Sequence, residues 1–325
     1  MKKQDINIAY ETLVYQCANL QKDEKVLVIT DTSTNEFGQG IERIAAFITK
    51  NIKHLSINDF NCHGQEPPED VAKDMLNSDV IFGMTKMSMA HTKARLNASN
   101  QGAKYLSLPD YSYDVLKSPA WNADFKSLTN ISNKIANTLT EGNEIILKTN
   151  KGTDFSCLIG GRIGNSAPGW CQKKGDIASP PDSEANIAVL ETKSNGIVVV
   201  DGSIPCPEIG LLKDDIVLEI KEGMVQNIKG FQSELLESIF SKVRKNNAKI
   251  VGEFGIGLNP LAKLRGFMLE DEGCLGTIHL GIGSNATIGG TNNVSFHLDH
   301  VVREATVIVD NQKILEKGKL ILKED

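Results

Sequence analysis

Lys25–Asp31 reads KVLVITD, and Ile41–Lys50 reads IERIAAFITK. The first is a β-branched run ending in turn formers; the second carries apolar residues at helical spacing. The pair opens an alternating series. His54–Asp59 predicts a strand, Pro68–Leu76 (PEDVAKDML) a helix opening on proline, and Asp79–Met84 another strand. Ser88–Gly102 then predicts a helix and Ala103–Leu108 a strand. Strands separated by helices of about 10–15 residues are the pattern of an α/β unit with a mainly parallel sheet.

The rhythm changes near Thr138–Asn143 (TLTEGN). Beyond it, Glu144–Lys148, Asp154–Ile159, Asn186–Glu191, Ile197–Asp201, Ile216–Ile220 and Val225–Ile228 read as short strands set off by turn residues. Glu222-Gly223 marks a hairpin within Ile216–Ile228. One helix, Gln232–Lys245, interrupts before strands at Ile250–Gly255, Thr277–Ile282, Val294–Val301, Ala305–Val309 and Leu320–Leu322. The expected fold is an α/β N-terminal domain with a mainly parallel sheet, residues 1–140, joined to a β-rich α+β C-terminal domain, residues 141–325, carrying a metal site. Two domains also suit a chain of 325 residues.

Composition narrows the function classes. With 35 basic and 41 acidic residues the net charge is −6, which argues against a nucleic-acid partner. No apolar h-region follows Met1-Lys2-Lys3, and no apolar run approaches the ~18–20 residues that span a bilayer. The six cysteines are dispersed with no CxxC pair, a pattern of reduced thiols. The expectation is a soluble cytoplasmic protein with no membrane partner.

Residues able to do metal or acid–base chemistry cluster late. Three of six histidines (His279, His297, His300) fall near the end, ten of 28 glycines lie between 251 and 290, and no tyrosine follows Tyr113. If Val294–Val302 (VSFHLDHVV) is a strand, His297 and Asp299 project to one face and His300 to the other. His279 stands alone in the apolar run GTIHLGI, and Glu253 sits within KIVGEFGIGL. Each buried polar group demands a partner. Singly, each reads as a hydrogen-bonded or ion-paired core residue; together, two imidazoles with carboxylates and no thiolate describe a site for Zn, Mn, Co or Fe(II). The stretch Gly281–Gly290 (GIGSNATIGG) has a G-x-G-x-x-A form, but no helix pattern follows, so it reads as a loop bringing backbone near the site rather than a dinucleotide fingerprint.

Glu253-Phe-Gly-Ile-Gly-x-Asn-Pro, Asp271-Glu272-x5-Thr277-Ile-His279-Leu-Gly-Ile-Gly and Asn293-Val-Ser-x-His297-Leu-Asp299 resemble the aminopeptidase T/S metallopeptidases. His91-Thr-Lys-Ala-Arg95 and Gly102-Ala-Lys-x-Leu-Ser-Leu-Pro109 are similar to that family's N-terminal domain. The resemblance implies a homodimer and two divalent ions held by Glu184, Glu253, His279, His297 and Asp299. By spacing alone Glu184 is a loop charge; only the resemblance makes it a ligand. The implied activity is a metal-dependent hydrolase releasing N-terminal residues from small peptides or amides, with Glu253 or Glu184 moving the proton from a metal-activated water.

The family's catalytic tyrosine, a few residues past the first ligand histidine, is missing from Gly283–Thr287; only Tyr111 or Tyr113 of the first domain is left to substitute. The short interval from His279 to His297 also implies a trimmed pocket loop. The alternative is a non-haem Fe(II) ring-cleaving dioxygenase using His279, His297 and Asp299, since the sequence is also similar to the dihydroxypyridine dioxygenases. In either reading the partner is a small peptide or small-molecule substrate.

Overall fold

The computed structural model describes residues 6–322. The chain divides into two compact units, Met1–Lys126 with Gly169–Pro181, and Ser127–Pro168 with Asp182–Asp325. The boundary expected at 140 is thus displaced. The helix Leu128–Glu141 buries Ile131, Ile135 and Leu139 in the core of the second unit. In return, Gly169–Pro181 joins the first, where Ile177–Ala178 pairs with the strand Lys104–Ser107.

The first unit holds a five-stranded parallel sheet in the order Ile52–Ser56, Val26–Thr30, Val80–Met84, Lys104–Ser107, Ile177–Ala178. Val26–Thr30 and Val80–Met84 are buried throughout, as the apolar runs Val26–Ile29 and Val80–Met84 require of strands covered on both faces; the one polar member, Thr30, meets His54 Nε2 at 2.9 Å. The helices Asn35–Ala45, Glu69–Leu76 and Lys93–Asn100 alternate with them. Strand order reverses beside Val26–Thr30, the type of position where such sheets often hold a phosphate at a helix N-terminus. Here the loop after that strand is organised by a carboxylate of the chain itself. Asp31 accepts from the Ser33 N–H (3.0 Å), Ser33 Oγ (2.8 Å), Thr34 Oγ1 (3.0 Å) and the Lys86 N–H (2.5 Å).

Two antiparallel sheets form most of the second unit. The larger has eight strands and includes Glu144–Lys148, Asp154–Leu158, Ser194–Val200 and Thr306–Val309. Its hairpin Ile216–Lys221/Met224–Gly230 turns through Glu222 (φ 50°) and Gly223 (φ 82°), the positive φ pair that a two-residue turn requires. The smaller sheet has the order His297–Val302, Ile278–Gly283, Val251–Gly257, Glu184–Ala188, Asn165–Ala167.

Alternation sorts the smaller sheet into two faces. Ala185, Ile187, Phe254, Ile256, Ile278, Leu280, Ile282, Leu298 and Val302 enter one core with Ile145, Leu147, Phe155 and Val198 of the larger sheet. Glu184, Glu253, His279, His297 and Asp299 alternate with these and occupy the opposite face. A bulge at Gly252 turns Val251 back into the core while Glu253 keeps to the site face. Among the described residues, no helix is long and apolar enough to cross a membrane.

Candidate metal centre

The five expected site residues come from four strands, and cross-strand register brings them together. Glu184 opens its strand opposite Gly257, and His279 lies opposite Gly255. Glu253 and Asp299 flank Gly281 from either side, and His297 faces Gly283. Every one of these side chains therefore has a glycine as a neighbour across the ladder.

The glycines make room for the rings. A Cβ at Gly255 would sit 2.1 Å from Cε1 and Nε2 of His279; one at Gly281 would sit 2.5 Å from His297 Cε1 and 2.8 Å from Glu253 Cβ. Four of the ten glycines between 251 and 290 (Gly255, Gly257, Gly281 and Gly283) are thus accounted for as cross-strand neighbours of the site residues. Gly281 and Gly283 belong to the strand Ile278–Gly283, so the expectation of a single loop over Gly281–Gly290 is corrected. The strand at Val294–Val302 also starts later, at His297, and the chain before it is irregular.

Two sets of donor atoms share Glu253. Glu184, Glu253 and His279 form one, and Glu253, His297 and Asp299 the other, with ligand atoms of each set within 4.8 Å of one another. His279 Nε2 lies 3.2 Å from Glu184 Oε2 and 3.9 Å from Glu253 Oε1. His297 Nε2 lies 3.3 Å from Glu253 Oε2 and 3.2 Å from Asp299 Oδ1. His297 Nδ1–H donates to the Ser284 carbonyl at 2.8 Å, which leaves Nε2 as the presented nitrogen. Asn186 Nδ2 donates to Glu184 Oε1 at 2.7 Å and is itself held by Asn165. All of these ligand candidates are buried except His297, whose side chain is 35% exposed and marks the open side.

The electrostatics fit a cation. Burial disfavours charge on both imidazoles, but Glu184 beside His279 and Asp299 beside His297 outweigh it. The His279 pKa rises well above its ordinary value and that of His297 to about 10. Burial likewise opposes the Asp299 carboxylate, yet His297 holds its pKa below the usual range. Burial pushes Glu253 upward. A cluster this rich in buried carboxylates needs positive charge, and a divalent ion supplies it without protonating the ligands. His279 Nδ1 is buried with no hydrogen-bond partner.

Two further acids, to which sequence reasoning gave no role, adjoin the cluster. Burial, then the Glu184 charge, pushes Asp182 well up; burial, then Asp299, does the same for Glu272. Asp182 Oδ1 and Glu272 Oε1 are buried without hydrogen-bond partners. Asp182 lies in the proline loop before Glu184, and Glu272 directly precedes Gly273, where a Cβ would sit 2.7 Å from Asp182 Oδ1. A lone acid in a loop gives no sequence signal of such a meeting.

Tyr111 and Tyr113, the two candidates to replace the missing tyrosine, are engaged locally. Tyr111 OH donates to the Pro180 carbonyl, and Tyr113 OH donates to Glu36 Oε2 at 2.7 Å. His300 points to the far side of the sheet, as alternation predicted, where it stacks on Phe240 with ring planes 1° apart.

Fold and cluster together define a class: a parallel-sheet α/β unit and a β-rich unit whose buried histidines and carboxylates could hold a metal ion. The chain belongs to the NicX, 2,5-dihydroxypyridine 5,6-dioxygenase, family, whose model matches residues 7–322. A 2,5-dihydroxypyridine 5,6-dioxygenase of Pseudomonas putida is 23% identical over 198 residues, a match covering 58% of this chain and 57% of that protein. The solved 2,5-dihydroxypyridine dioxygenase of the same organism superposes with a TM-score of 0.83 at 17% identity, covering 98% of this chain and 97% of that one. Wild-type AmpT from Thermus thermophilus superposes with a TM-score of 0.68 at 11% identity, covering 98% and 99%. The aminopeptidase likeness thus extends to the fold, while family membership places the weight on the dioxygenase alternative.

Proposed function

We propose that this protein is a non-haem Fe(II) dioxygenase that opens the ring of a small dihydroxylated heteroaromatic compound of the dihydroxypyridine type. The single observation carrying this reading is the family match over residues 7–322. The lack of any tyrosine after Tyr113 agrees with it, because ring oxygenation does not need the peptidase tyrosine.

In this reading His279, His297 and Asp299 hold the metal. The ferrous ion, when bound, supplies the redox chemistry and open positions that dioxygen and a hydroxylated ring require. The chain's own residues do the rest. The Ser284 carbonyl fixes the tautomer of His297, and Asn186 turns Glu184 toward His279. Glu253 lies between both imidazoles, and burial raises its pKa, which suits it to take a proton from a ring hydroxyl and return it. Glu184 is the second carboxylate within reach of that task. Burial of every ligand candidate except His297 keeps water from all sides but one, so the substrate enters beside His297.

A second reading keeps the aminopeptidase-type hydrolase with two ions (Zn, Co or Mn). It is favoured by one feature, the two donor sets that share Glu253. One experiment separates the two: count metals per chain, then assay with and without oxygen. One iron per chain and stoichiometric oxygen uptake with 2,5-dihydroxypyridine supports the dioxygenase. About two zinc, cobalt or manganese ions with oxygen-independent cleavage of amino-acyl amides overturns it.

A further inference from the structure

The connection 284–296 joins the two histidine-bearing strands, and a continuous polar chain ties it down. Arg162 Nη2 reaches both carboxylate oxygens of Glu191, at 3.0 Å and 2.7 Å, and Arg162 Nη1 donates to the Gly289 carbonyl. The Arg162 and Glu191 side chains are only 12% and 14% exposed. Glu191 Oε1 also accepts from Asn285 Nδ2 at 3.0 Å and from the Thr291 N–H at 2.6 Å.

Asn285 is completely buried and fully engaged. Its Nδ2 donates a further bond to the carbonyl of Gly252, the bulge residue next to Glu253, at 3.0 Å. Its Oδ1 accepts from the Asn292 N–H at 2.9 Å, while its own N–H donates to the Asn292 carbonyl at 3.0 Å. The adjacent Ser284 donates its N–H to the Phe296 carbonyl and its Oγ to the Asn292 carbonyl. The one remaining backbone group of Ser284, its carbonyl, receives His297 Nδ1–H. Carboxylates meet this histidine only at Nε2; at Nδ1 its partner is a peptide carbonyl, and that carbonyl is only as fixed as its loop.

We propose that Glu191, anchored by Arg162, is a positioning residue for His297: through Asn285 it fixes the Ser284 carbonyl that sets the tautomer and aim of the imidazole. The same amide bonds the Gly252 carbonyl, so one side chain indexes the His297 loop against the strand that carries Glu253. Outer partners of this kind typically alter metal affinity by about 10–100-fold. The inference rests on His297 being a metal ligand.

The test is titration of the metal-free protein with Co(II), read by affinity and by the visible absorption of the bound ion. Wild type should bind, and His297→Ala should bind far more weakly. Glu191→Gln, with wild-type circular dichroism, should weaken binding by about 10–100-fold and change the Co(II) spectrum, a readout that loss of stability alone does not move. If Glu191→Gln does not fold, Asn285→Ser carries the same expectation, because it keeps the Arg162–Glu191 pair and removes the amide that bonds Glu191, Gly252 and Asn292. Folded Glu191→Gln or Asn285→Ser protein with wild-type affinity and spectrum overturns the positioning role. Equal binding by wild type and His297→Ala overturns the ligand reading instead, and the positioning role with it.

Discussion

Replacing Gly255 by alanine places a methyl carbon where the His279 ring now lies, 2.1 Å from both Cε1 and Nε2. Carbon contacts settle near 3.5–4.0 Å, so the ring must retreat by roughly 1.5 Å or the strands must part. His279 Nε2 is the atom that faces Glu184 and Glu253 at 3.2 and 3.9 Å, so the retreat moves the donor out of both distances. A displacement of about 1 Å at a catalytic group costs about 10²-fold in rate, and overpacking costs about 1–3 kcal/mol of stability. Gly255→Ala should therefore fold with a modestly lowered Tm, bind Fe(II) or Co(II) at least about tenfold more weakly, and lose about 10²-fold in turnover. Calorimetric metal titration, thermal unfolding and oxygen uptake read the three quantities. Wild-type metal affinity in a folded Gly255→Ala protein would refute the argument that these glycines exist to seat the imidazoles.

Four further outcomes are expected. Glu184→Ala should abolish a two-ion site but leave a mononuclear iron centre largely occupied; metal analysis showing loss of all iron would count against the His279–His297–Asp299 assignment. Burial works against the Glu191 carboxylate, but the Thr291 N–H and other donors outweigh it and hold its pKa at about 2. Because the folded value is depressed, its stabilising contribution is present above the ordinary glutamate pKa and is lost as pH falls toward 2. Glu191→Gln should flatten the stability profile between about pH 5 and pH 2, by on the order of 1–2 kcal/mol after solvent screening; an unchanged acid profile in denaturant titrations would refute this. Glu24→Ala should destabilise the first unit by a few kcal/mol, about 3 at most, because it strips Lys104 (side chain 6% exposed) of its 3.0 Å carboxylate partner; a loss below about 0.5 kcal/mol in urea unfolding contradicts it. Chelation should lower Tm, and re-addition of Fe(II) should restore it in proportion to the logarithm of its concentration; a Tm indifferent to metal would argue against the centre itself.

Much of the scaffold was legible locally. Val26–Ile29 and Val80–Met84 announce themselves as parts of covered parallel strands because burial on both faces leaves no alternation of polar positions. The run Ile41–Lys50 shows helical spacing, although the helix, Asn35–Ala45, both begins and ends earlier. The unit boundary was less legible. An amphipathic helix such as Leu128–Glu141 does not state which core its apolar stripe enters, and the segment 169–181 has no strong pattern to reveal its return to the first sheet.

What the sequence alone determined is a matter of period. Two-residue alternation puts His297 and Asp299 on one face and sends His300 to the other, where Phe240 covers it. It also isolates His279 and Glu253 as polar anomalies in apolar runs. What only the tertiary structure decided is which anomalies meet. Antiparallel register joins residues far apart in the chain, sets a glycine beside each of the five side chains, and gathers Asp182 and Glu272 to the same cluster. Local sequence carries the facing of a side chain because neighbouring residues fix it. It does not carry register, which depends on the pairing of whole strands and, here, on a single extra residue at Gly252.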